Sequence, residues 1–117
     1  MQKVYQQLKD ISPVLTAHNA GEKFVFLSTE DTSTSLTQFA YGRILPGEES
    51  GWHIHSTMEE CFYFISGEGE YFIESESYKI SSGSFIRIPK ATNHLLKAFG
   101  NVPLTFVYFG IATNITY

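Results

Sequence analysis

The stretch GWHIHSTMEECFYFISGEG, residues 51–69, sets two histidines one residue apart, follows them with two glutamates and then runs into an aromatic segment. Side chains alternate across an extended chain, so His53 and His55 point to one face and Ile54 to the other. A turn over residues 56–58 brings Glu59 or Glu60 back beside them. With Glu60 facing inward, Phe62 and Phe64 face inward too, which places a polar entrance above an aromatic floor. Two imidazoles and a carboxylate converging on one point suit a metal ion. Taken alone, the same histidine pair also fits a solvated strand face, so the choice rests on what the remainder of the chain brings to it.

Outward from this stretch the chain reads as short strands over residues 24–28, 36–45, 52–55, 60–65, 70–74, 78–80, 84–88, 94–99 and 104–109. Turn signals divide them, among them Pro46-Gly47, Ser66-Gly67, Pro89 and the segment 100–103. Short strands at regular spacing predict an all-β sandwich or barrel. Ahead of them, Val4, Leu8 and Ile11 recur at helical spacing until Ser12-Pro13, which predicts one short N-terminal helix. A third histidine, His94, follows the turn 89–92 and opens another strand, where it can complete a set of three histidines and one carboxylate. Such a set suits Mn, Fe, Ni, Cu or Zn and leaves positions open for water or substrate.

The 117 residues fit one domain, 1–117, without repeat, linker or low-complexity segment. Hydrophobic residues make up 43% of the chain, enough to bury a core. The formal charge is -4 and the eight Lys and Arg are scattered, so the basic stripe that nucleic acid requires is missing from the sequence. No long apolar run signals a membrane span and the single cysteine, Cys61, cannot form an intrachain disulfide, so the expected location is the cytoplasm. Cys61 is expected to be a buried packing residue, and His18, in a loop with Gly and Asn, a surface histidine.

Two motifs identify the chain as similar to a small single-domain cupin. The first, G-x5-H-x-H-x3,4-E-x6-G, is matched throughout by Gly47, His53, His55, Glu60 and Gly67. The second, G-x5-P-x-G-x2-H-x3-N, is matched by Gly83, Pro89 and His94, with Ala91 in place of the motif glycine and Ala98 in place of the final asparagine. Neither departure removes a ligand. The resemblance implies a jelly-roll barrel, the double-stranded β-helix, with His53, His55, Glu60 and His94 as ligands of one divalent transition metal (Fe, Mn, Ni, Cu or Zn). Glu60 rather than Glu59 leaves the six residues before Gly67 that the motif requires.

Families of this kind include isomerases and epimerases, dioxygenases and decarboxylases, and modules that only bind a ligand, so the fold does not name a reaction. The leading expectation is an enzyme using its metal as a Lewis acid on a small polar metabolite such as a sugar derivative. A metal-dependent dioxygenase and a non-catalytic binding or sensing cupin are the alternatives. Glu60 is the expected catalytic group, with Glu59 as its competitor for the role of base. Phe62, Phe64, Tyr71 and Arg87, together with Tyr41 and Arg43, are the candidates for substrate contact. The second face of the strand at 60–65, carrying Cys61, Tyr63 and Ile65, is as apolar as the first, and residues 104–109 share this character. A homodimer covering one such face is therefore expected.

Overall fold

Alternation of inward and outward side chains along the predicted strands becomes the two faces of one six-stranded sheet. The computed structural model describes residues 3–16 and 20–113. Among these residues nine strands follow in order: β1 Val14–Leu15, β2 Glu22–Ser28, β3 Leu36–Ile44, β4 Met58–Ser66, β5 Glu68–Ile73, β6 Glu76–Ile80, β7 Phe85–Ile88, β8 His94–Phe99 and β9 Leu104–Ala112. They pair antiparallel in two sheets, β1-β2-β3-β9-β4-β7 and β6-β5-β8. The sheets form the walls of a jelly-roll barrel. Phe62 and Phe64 of β4 and Phe106 and Tyr108 of β9 meet Tyr71 of β5 and Leu96 of β8 in its core. Among the described residues, no helix is long and apolar enough to cross a membrane.

The sharp turn between β4 and β5 depends on Gly67. Its φ is 90°, and a Cβ there would lie 2.4 Å from the Pro103 carbonyl oxygen. No L side chain fits without moving backbone.

Two predicted elements differ from what forms. The expected N-terminal helix is only a single 3-10 turn, Leu8–Asp10, and Val4 and Tyr5 are exposed. A helix this short needs a tertiary surface to bury its apolar stripe, and none is offered. The segment is tethered instead by Gln6 Nε2 donating to the Phe26 carbonyl at 2.8 Å and by an ion pair of Lys3 with Asp31 at 3.0 Å.

Residues 52–55 are likewise not a strand. The segment 47–53 runs antiparallel along β8, with bridges at Glu49 to Lys97 and His53 to His94. Between those bridges it spends one residue more than β8 does, a bulge. Ser50 Oγ accepts from the Leu96 amide at 3.0 Å, and Gly51 takes up a φ of 75°. The ladder closes again where His53 and His94 exchange both backbone hydrogen bonds, each at 3.0 Å.

On the outer face of the large sheet, Tyr63 is 51% exposed, Ile65 44% and Phe85 62%. The N-terminal segment, bonded to β2, leaves these side chains in water.

Candidate metal centre

The bulge re-aims the chain so that His53 and His55 reach the mouth of the barrel from one side. Glu60 arrives from β4, and His94 is the first residue of β8. One ligand atom from each of the four lies within 4.8 Å of the other three. The Nε2 atoms of His55 and His94 stand 3.3 and 3.8 Å from Glu60 Oε1. The backbone orients two of the rings: His53 Nδ1 lies 3.1 Å from the Gly51 carbonyl oxygen, and His94 Nδ1 lies 2.8 Å from that of Thr92. A donating Nδ1–H leaves Nε2 with its lone pair, the form in which imidazole binds a metal.

Glu60 is 6% exposed, whereas Glu59 lies on the other face of β4, where Arg87 donates to both of its oxygens at 2.9 and 3.0 Å. Strand alternation thus separates two adjacent glutamates into one inside the barrel and one bound to an outer-face arginine. The hydrogen bond to Glu60 holds the His55 pKa above its ordinary value. Burial, with the Glu60 charge adding to it, pushes the phenols of Tyr71 and Tyr108 well up. Three nitrogens and one carboxylate oxygen at this separation fit a first-row divalent ion.

Three of the four, His53, His55 and Glu60, sit in the wall of a cavity of about 240 Å³, while the buried His94 lies outside its lining. Phe62 and Tyr71 line it, and Tyr108 stacks on Phe62 with ring centroids 5.0 Å apart. Phe64 lies deeper, fully buried in the core and outside the cavity lining. Arg87 is held on the outer face by Glu59. Tyr41 packs edge-on against Phe24, and Arg43 pairs with Glu22 above the same ring, so neither reaches the cavity. Cys61 is partly exposed rather than buried, because the outer face of β4 has no covering layer; partial burial and then Glu59 raise its thiol pKa. His18 lies outside the described residues.

Among the lining residues that escaped the sequence reading are Tyr108, Lys23 and Gln38. Tyr108 shares the inward parity of Leu104 and Phe106, and that alternation could have found it. Lys23 and Gln38 also line the cavity, with Lys23 Nζ donating to Gln38 Oε1 at 3.0 Å. Nothing local marks them, because their relation to the site arises from the order of strands in the sheet.

Comparison with known proteins agrees with this architecture. Over 81 residues the chain is 27% identical to a protein of Thermotoga maritima described as an oxalate-binding protein, covering 69% of this chain and 67% of that one. It is 36% identical over 58 residues to an uncharacterized protein of Methanocaldococcus jannaschii, and the match spans 50% of this chain and 46%, about half, of that relative. The crystal structure of a predicted oxalate decarboxylase from Thermotoga maritima superimposes with a TM-score of 0.86 at 23% identity, covering 94% of this chain and all of that one. The cupin domain family matches residues 40–110, from the middle of β3 to near the end of β9 and across all four clustered ligands, and the chain belongs to that family.

Proposed function

We propose that this protein is a single-metal cupin enzyme acting on a small polar metabolite. In this reading His53, His55, Glu60 and His94 hold the ion. The observation that carries it is the convergence of those four side chains, three of them in the wall of a largely apolar cavity. A divalent ion held there would supply Lewis-acid polarisation of substrate oxygens. Phe62 limits water in the cavity, while Tyr71 and Tyr108, kept protonated by burial, serve as neutral hydrogen-bond donors to the substrate. Glu60 is the acidic residue in the lining and is the group to take up a proton beside the metal. Phe64 acts from behind by fixing Phe62 at a ring separation of 6.0 Å.

A binding or sensing module is the second reading, favoured by the name of the Thermotoga relative and by Lys23 in the cavity wall. Metal analysis of the purified protein, followed by turnover assays with and without oxygen, separates the possibilities. Isomer interconversion without oxygen is the expected result. A product that forms only with oxygen would move the assignment to a dioxygenase, and saturable ligand binding without turnover would move it to the binding module. The apolar outer face of β4 and β7 supports a homodimer as the working unit.

A further inference from the structure

The inward row of β2 and β3 brings one cation to the cavity. Among the described residues, Lys3, Arg43, Arg87 and Lys97 pair with carboxylates, while Lys23 donates to the amide oxygen of Gln38. An amide oxygen holds an ammonium in place without neutralising it, so the full charge remains directed at the cavity. Among the described residues, and apart from the histidines, Glu60 and Lys23 are the charged residues of the lining. A divalent ion bound beside Glu60 would leave one positive charge, and Lys23 adds a second. Partly enclosed charge of that size calls for a compensating anion.

Placement indicates the length of that anion. In the large sheet β2 stands three places from β4, with β3 and β9 between them. At about 4.8 Å per strand this is roughly 14 Å between backbones, so Lys23 and Glu60 reach into the cavity from well-separated parts of its wall. At about 30 Å³ per water-sized group the cavity of about 240 Å³ accepts on the order of eight such groups. The two-carbon dicarboxylate would fill only part of that space. Resting on the metal-centre reading above, we propose that Lys23, positioned by Gln38, is the anion-recognition residue for a small dicarboxylate longer than two carbons, which binds the metal at one end and the ammonium at the other.

The test is calorimetry on the metal-loaded full chain, titrated with unbranched dicarboxylates of two to six carbons and with monocarboxylates of matched length. The wild type is expected to prefer a dicarboxylate longer than two carbons over its matched monocarboxylate by about tenfold or more, the size of a charge-assisted hydrogen bond. Lys23→Met should abolish that preference at unchanged metal content, and Lys23→Arg should retain part of it. Gln38→Glu, which keeps the shape and neutralises the ammonium, should act like Lys23→Met and guards against a folding defect in that variant. A wild type that binds no dicarboxylate, shows no preference for one, or favours the two-carbon acid overturns the inference alone. So does an undiminished preference in Lys23→Met or Gln38→Glu. A wild type that retains no metal overturns the functional reading and this inference with it.

Discussion

Along β4, Glu60, Phe62 and Phe64 are buried, while Tyr63 and Ile65 on the opposite face of the same strand stand about half in water. The inner residues meet a second sheet. The outer ones have only their neighbours within the large sheet, where Tyr63 lies opposite Phe85 on β7 and Val107 on β9. Equal apolarity therefore has two meanings in one strand. Inside it builds the floor under the four clustered side chains, and outside it leaves an apolar patch in water.

The largest break between the faces is expected in folding stability. Phe64→Ala, which empties a fully buried ring position, should cost about 3–5 kcal/mol in denaturant unfolding, whereas the outer-face Tyr63→Ala should cost the isolated subunit under about 0.5 kcal/mol. Similar losses at both positions would show that the outer face is covered even in a single subunit.

Metal retention sharpens the inner face further. His94→Ala removes one of the four clustered side chains and should weaken metal binding by more than the roughly 10- to 100-fold typical of supporting residues, read by elemental analysis after dialysis. Binding should also weaken as pH falls, because imidazole must lose its proton to coordinate. With the His55 pKa raised by Glu60, the loss should begin above the ordinary value of about 6.5. In the metal-free protein the sign reverses: the contact of protonated His55 with Glu60 stabilises the fold at lower pH and is lost as pH rises through the raised pKa. Metal affinity that stays flat from pH 8 to pH 5 would rule out these histidines as ligands.

The outer face is tested by Tyr63→Lys, which places a charge on the apolar patch and should shift a dimer toward monomer in sedimentation without changing metal content. A wild type already monomeric at micromolar concentration would end the docking reading. The smallest effect is expected at Ala91, which occupies the left-handed region at φ 60° where the cupin motif has glycine, and whose amide donates to the His55 carbonyl at 2.7 Å. Ala91→Gly should stabilise the protein by about 0.5–1 kcal/mol, the relief of strain exceeding the added freedom of the unfolded chain. A loss of stability there would mean that the turn carries no strain.

Period-two alternation made the inner row of β4 legible, because a strand has only two faces and one of them had to be buried. The spacing of His53, His55, Glu60 and His94 was legible for a related reason: short strands and tight turns leave little freedom in where such residues meet. Glu60 was separated from Glu59 by the spacing to Gly67 that the cupin motif implies, a glycine that the close approach of Pro103 requires. The N-terminal apolar spacing misled because helix formation needs a surface to pack on, which a local pattern cannot report. Arg87, Tyr41 and Arg43 have the composition of ligand contacts, yet pairing across neighbouring strands turns them outward. Local chemistry and periodicity thus pointed to a sandwich or barrel, and the resemblance to the two cupin motifs narrowed this to the jelly roll and the four clustered side chains. Only the tertiary structure decided that residues 47–53 bulge along β8, that Tyr108 closes over Phe62, and that Lys23 and Gln38 share the cavity with His53, His55 and Glu60. The physical reason is that these relations depend on strand order and on contacts between residues far apart in the chain.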